Sequence, residues 1–120
     1  MNGGGAVGVP YFGIFSSYDD MVEEFRIPAE KRPDPSLVLF AAYGGEMYEG
    51  EAVVVFTDGE GRLFLVEGSH CSCYGLEDQW EPDETTAAAL GAMRLSPRDF
   101  EPETIAAFYS LFPRQGVEEP

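Results

Sequence analysis

The spacing of apolar residues changes along this chain and predicts its first elements. Between residues 15 and 25 they recur every three or four positions, so a helix is predicted over about residues 17–26. Residues 37–43 form a continuous apolar run, and residues 51–57 are rich in β-branched side chains, so both predict strands. A turn is predicted at Gly44–Gly45 between them.

The second half of the chain predicts a further strand and two helices. The sequence Asp-Gly-Glu-Gly at 58–61 is a hairpin signal, and residues 62–67 return as the next strand, after which the chain is expected to leave the sheet. Thr85 or Thr86 can cap a helix over residues 87–93, and a last helix is predicted over 102–112. Residues 11–15 fit either a strand or the entry to a helix.

These elements predict an α+β fold. Its centre is an antiparallel β-meander of three or more strands, with an N-terminal helix and two C-terminal helices packed on it. A length of 120 residues predicts a single domain, and residues 1–10 and 114–120 are expected to be flexible ends.

The charge is the strongest global property of the sequence. Twenty-two acidic and seven basic residues give a formal net charge of −15, which repels nucleic acid and anionic membranes and favours a basic protein partner. The alternative is that the charge serves solubility alone. Residues 1–5 show no basic start or apolar run, and no stretch is long enough to span a bilayer, so a cytoplasmic protein is expected.

His70, Cys71 and Cys73 are candidate zinc ligands because imidazole and thiolate groups bind zinc well. A structural zinc site normally has four ligands from two separated pairs, and the sequence has no second pair. Glu77, Asp78 or a water molecule would have to complete the set. In an extended segment the two cysteines would also point away from His70. We therefore expect no cofactor and keep zinc binding as the alternative function.

Either cysteine could instead be a nucleophile, but the sequence gives this hypothesis little support. His70 is the sole histidine and therefore the sole imidazole base, and neighbours in sequence rarely form a catalytic pair. Carboxylates around a thiol would also raise its pKa. We therefore predict a protein that is not an enzyme.

Two groups of carboxylates are predicted to bind a partner. The first, here the helix cluster, lies on the predicted N-terminal helix, and the second, the loop cluster, precedes the first C-terminal helix. Tyr74 and Trp80 could add aromatic contacts, although Trp80 is also expected as a core residue. The helix cluster is Asp19, Asp20, Glu23 and Glu24, and the loop cluster is Glu77, Asp78, Glu81, Asp83 and Glu84.

The segment SHCSCYGLE at 69–77, followed by QWEP at 79–82, resembles a segment of small phage and mobile-element proteins that have no established activity. The resemblance spans roughly residues 50–90. It implies that the protein comes from a phage or mobile element, and it identifies no catalytic residue. Small acidic phage proteins are similar in class to anti-CRISPR proteins, several of which present carboxylates to a DNA-binding groove.

The resemblance and the charge together predict an inhibitor without enzymatic activity. It would bind a basic, nucleic-acid-handling surface of a host defence complex, a CRISPR effector subunit, and would block access of DNA. It would contact neither nucleic acid nor membrane directly, and it would act in the cytoplasm of the host cell. The sequence leaves open the oligomeric state and whether the helix cluster and the loop cluster share one face.

Overall fold

The computed structural model describes residues 10–45 and 49–114 and has an α+β fold with a five-stranded, mostly antiparallel sheet. The predicted flexible ends lie outside these residues, except for Pro10 and Arg114. Two short 3₁₀ helices, at Ala29–Lys31 and Pro35–Leu37, precede the second strand. The elements in chain order are β1 (Tyr11–Gly13), α1 (Tyr18–Phe25), β2 (Val38–Gly45), β3 (Glu49–Thr57), β4 (Leu63–Cys71), β5 (Asp83–Thr85), α2 (Ala87–Gly91) and α3 (Pro102–Leu111).

The sheet has the order β1-β2-β3-β4-β5, and β1 is parallel to β2 while the other pairs are antiparallel. The predicted meander is therefore confirmed, with one short strand added at each edge. The predicted hairpin between β3 and β4 is also present. Gly59 and Gly61 both have positive φ values there, and the Asp58 carboxylate accepts hydrogen bonds from the backbone N–H groups of Glu60 and Arg62.

Two predictions about strand ends were wrong. The chain does not leave the sheet after Glu67, because β4 continues to Cys71 and pairs with the start of β3. Gly44 and Gly45 are not a turn but the last residues of β2, paired with Glu51 and Gly50. Small residues permit this close pairing, since a Cβ on Gly50 would fall 2.3 Å from the carbonyl oxygen of Gly44.

Buried side chains form two clusters on opposite faces of the sheet, because successive strand residues point to alternate sides. Ala41 and Tyr43 of β2 join Met21 and Phe25 of α1 in the first cluster. The second cluster combines side chains of β2 and β3 with side chains of α2 and α3, among them Phe40, Ala42, Val53, Val55, Leu90 and Phe108. Both faces of the central strands are therefore covered, which explains their continuous apolar sequences.

A register shift in the pairing of β2 with β3 determines the face of the sheet on which each end of β2 places its buried side chains. The shift lies between Val38, which pairs with Phe56, and Phe40, which pairs with Val55. Val38 and Phe40 are two positions apart but belong to different clusters, because the extra residue reverses the alternation.

The helix ends follow the capping signals of the sequence. The hydroxyl of Ser17 accepts a hydrogen bond from the backbone N–H of Asp20, and that of Thr86 accepts one from Ala89. Arg26 caps the C-terminus of α1 with a left-handed φ of 54°, and Pro28 follows. Pro102 opens α3. None of the helices in residues 10–45 and 49–114 combines the length and apolarity needed to cross a membrane.

Candidate functional site

Three carboxylates of the helix cluster project into solvent from α1, namely Asp19, Glu23 and Glu24. Asp20 has a different role, because its carboxylate accepts hydrogen bonds from the hydroxyl and the backbone N–H of Ser16. These two bonds lower the pKa of Asp20 and fix the entry of the chain into α1. The surface of the helix cluster is therefore formed by the other three carboxylates.

Glu77 of the loop cluster lies beside α1. One shallow depression is lined by Asp19, Glu23, Glu24 and Glu77, together with Val22, Arg26, Ile27 and Arg32. The charges of Glu24 and Glu77 both raise the pKa of the Tyr43 hydroxyl, after the larger effect of burial. The helix cluster and the start of the loop cluster thus adjoin, which the sequence left open.

The remainder of the loop cluster turns toward β4. Asp78, Glu81 and Asp83 line a second depression with Glu67, which projects from β4. Glu84 lies in β5 opposite Phe64, and its charge contributes to raising the pKa of Arg62, behind the stronger effect of Asp58. The loop cluster therefore extends from α1 to the β4–β5 edge of the sheet.

Gln79 holds this loop against β4. Its side-chain oxygen accepts a hydrogen bond from the backbone N–H of Ser69 at 2.9 Å, and its Nε2 donates to the carbonyl oxygens of Ser69 and Gly75, both at 2.7 Å. An amide can do this because it both donates and accepts, which an ionised carboxylate cannot. Gln79 was not among the predicted site residues, although it is the one amide side chain within an acidic run.

The two aromatic candidates of the loop have opposite environments. Trp80 is 7% exposed and lies in the first core cluster, with its ring 5.1 Å from Phe25 and stacked 5.8 Å from Phe56. Its ring therefore cannot be an exposed partner contact. Tyr74 is 53% exposed and is the aromatic side chain of this loop that a partner could reach.

His70 and Cys71 end β4 and point to opposite faces of the sheet, while the chain turns before Cys73. The Nδ1 atom of His70 lies 2.9 Å from the Tyr43 hydroxyl. Across residues 10–45 and 49–114, no three His, Cys, Asp or Glu side chains are grouped to hold a metal ion. The zinc hypothesis therefore gains no support from the geometry.

The two thiols differ in acidity. Hydrogen bonds from the Cys73 side chain and backbone N–H lower the pKa of Cys71, whereas the same thiol contact raises the pKa of Cys73. Carboxylates of the described residues are not among the causes of either shift, so the expected effect of acidic surroundings on a thiol is not tested by them. His70 points to the other face of the sheet, so the hypothesis that it is a base for that thiol gains no support.

A cavity that was not predicted lies between the end of β2 and the segment before α3. Its volume is about 400 Å³, and its walls include Phe12, Tyr43, Phe100 and Thr104. Asp99 also lines it, and the backbone of Asp99 is so close to β2 that a Cβ on Gly44 would fall 2.0 Å from its carbonyl oxygen. No sequence pattern marks this site, because a single Asp in a short connection has no distinctive spacing.

The charged form of the Glu51 carboxyl group is disfavoured at this end of the sheet. Partial burial of its carboxyl group raises its pKa, the charges of Asp99 and Glu67 raise it further, and Arg98 opposes them. Glu51 therefore interacts electrostatically both with Asp99, which lines the cavity, and with Glu67, which lines the neighbouring depressions.

We expect Glu51→Gln to stabilise the protein at neutral pH, by on the order of 1–2 °C in Tm. A raised carboxyl pKa means that the folded state holds the proton more tightly, so stability falls as pH rises through the window between the unfolded pKa, about 4.3, and the higher folded value. The gain should therefore disappear below that window. Thermal unfolding from pH 3.5 to 8 measures it, and Glu60→Gln, in the exposed turn that follows β3, is the matched control. An equal gain in both variants would contradict the prediction.

No family model matches the sequence, and no curated protein and no solved structure matches it. The likeness of residues 69–82 to phage proteins therefore stays a prediction that rests on those residues alone.

Proposed function

We propose that this protein is an inhibitor without enzymatic activity that binds a basic, nucleic-acid-handling surface of a host defence complex. A CRISPR effector subunit is the proposed partner. The observation that carries the proposal is the meeting of the helix cluster and the loop cluster beside α1, where Glu23, Glu24 and Glu77 line one depression. Carboxylates grouped in this way can pair with the Arg and Lys side chains that otherwise hold phosphate groups.

The rest of the charge distribution supports the same proposal. Two basic side chains are paired with acidic neighbours: Arg62 pairs with Asp58, and Arg98 lies 3.5 Å from Glu49. Arg26 and Arg32 border the depression without removing its acidic excess. A partner with a positive surface would meet this protein quickly, and the association would weaken as salt screens the charges.

The alternative functions lack an equivalent observation. A cysteine enzyme needs a base within reach of its thiol, and His70 points away from Cys71. Zinc binding needs ligands that converge, and the described residues offer no such group.

The test is a phage plaque assay in host strains that each carry one defined CRISPR system, with and without expression of this protein. We expect a targeted phage to recover plaque formation in at least one system, by a factor of about 100 or more, because an inhibitor that occupies the DNA site prevents target recognition. A non-targeting guide in the same strains controls for effects on phage growth. Absence of recovery in every system, with the protein shown to be expressed and folded, would contradict the CRISPR proposal.

A further inference from the structure

Asp99 is a buried carboxylate that lacks hydrogen-bond partners. Its side chain is 1% exposed, and neither carboxylate oxygen accepts a hydrogen bond from any described residue. Among the residues that the structure describes, its ion-pair partner is the exposed Arg98, whose Nε atom lies 3.6 Å from Oδ1. A contact of that length to a solvated side chain compensates little of the cost of burying a charge. A buried polar group in this state calls for a ligand or a functional reason.

The cavity beside Asp99 has the size and walls of a binding site for a small planar group. Its volume of about 400 Å³ lies within the usual range of ligand sites. Phe12 and Phe100 supply aromatic surface, and Thr104 adds a second buried polar side chain. Aromatic walls with a single deep carboxylate suit a cation that can both stack and donate hydrogen bonds.

A guanidinium group fits this combination better than other cations do. It is planar, stacks on aromatic rings and donates two parallel hydrogen bonds to a carboxylate, whereas an ammonium group is compact and strongly hydrated. A divalent ion such as calcium needs six or more oxygen ligands, and the described residues bring no three acidic side chains together here.

We propose that this cavity binds the guanidinium group of an arginine side chain, with the Asp99 carboxylate accepting its N–H groups. The inference deepens the proposed function, because the arginine would belong to the basic partner. Glu51 is close enough to Asp99 for their charges to interact, and it lines a depression with Glu67, which also borders the depression that contains Asp78, Glu81 and Asp83. A basic surface lying along that side could therefore insert one arginine here.

The test uses the isolated protein and a blocked amino acid, so it does not depend on knowing the partner. N-acetyl-arginine methylamide is titrated into ¹⁵N-labelled protein, and amide shifts are followed at Gly44, Arg98 and Phe100. We expect saturable binding with a dissociation constant on the order of 1–10 mM. The citrulline analogue, which has the same shape without the charge, should bind at least about tenfold more weakly.

Asp99→Asn should weaken binding of the arginine probe by a similar factor, because the amide has nearly the same size but no charge. Glu30→Gln removes one carboxylate charge at an exposed position outside the cavity and both clusters, and it should leave binding unchanged. Equal binding of the arginine and citrulline probes to the wild-type protein would overturn the proposal, even if the Asp99 variant does not fold. If free arginine binds much more tightly than the blocked form, the site is one for a small molecule, and the inference that its ligand is an arginine side chain is overturned.

The outcome separates this inference from the proposed function. Probe binding without phage rescue would leave the guanidinium site standing and remove the CRISPR partner. Phage rescue that Asp99→Asn leaves intact, together with no probe binding, would remove the site and keep the inhibitor.

Discussion

Replacement of Trp80 by Ala is expected to lower the free energy of unfolding by about 3–5 kcal/mol. The ring is the link between the loop cluster and the first core cluster, since it contacts Phe25 of α1 edge-on and stacks on Phe56 of β3. Removal of the ring leaves a cavity between α1 and the sheet. That cavity can close only if the helix or the sheet moves. Because a domain of this size has roughly 5–15 kcal/mol of total stability, the loss would be a large part of it.

Urea unfolding followed by far-ultraviolet circular dichroism measures this effect without relying on the fluorophore that the substitution removes. Trp80→Phe should cost much less than the Ala variant, because it keeps an aromatic ring and deletes an indole N–H that has no hydrogen-bond partner among the described residues. Tyr74→Ala is the matched control in the same loop, and its exposed ring should contribute less than about 0.5 kcal/mol. A Trp80→Ala variant within that same margin would show that the ring is not a core residue.

The central fold was predictable because its signals are local. The β-branched run of β3, the Asp-Gly turn and the capping residues Ser17 and Thr86 each act over a few positions, and all produced the expected elements. The ends of β2 and β4 were mispredicted because glycine and polar residues there follow pairing with β3 instead of their own preferences. Gly50 and Gly68 are small enough for His70, Leu76 and Phe25 to pack over them, which a single sequence does not reveal.

The candidate site was predictable in composition but not in arrangement. The carboxylates of both clusters were recognised from the sequence, yet the separation of Glu77 from the rest of its cluster depends on where Gln79 fixes the loop. Asp99 was missed because its significance comes from burial beside the Gly44 backbone, a contact between segments more than 50 positions apart in the sequence. Sequence spacing identifies residues that lie close together along the chain, whereas Asp99 and Gly44 are brought together only by folding.

Charge reversal in the two acidic depressions is expected to have the largest effect on partner binding. Glu23→Lys with Glu24→Lys would replace two exposed carboxylates of the shared depression, and Glu81→Lys with Asp83→Lys would do the same in the second one. If a partner's Arg and Lys side chains pair with these groups, each double reversal should weaken affinity at least about 100-fold, since close charge pairs across an interface couple by about 1.5 kcal/mol or more. Combining all four changes should abolish both binding and phage rescue.

A matched control separates local pairing from the overall field of the protein. Glu30→Lys with Glu60→Lys changes the net charge by the same amount at exposed positions outside both clusters. Because screening confines exposed charges to roughly 10 Å at moderate salt, this variant should lose only a few-fold in affinity, and mainly in the association rate. Surface plasmon resonance at low and high salt against the effector identified by phage rescue measures both rates. Equal losses in the control and cluster variants would mean that net charge alone drives binding, and unchanged affinity in every variant would mean that the carboxylates are there for solubility.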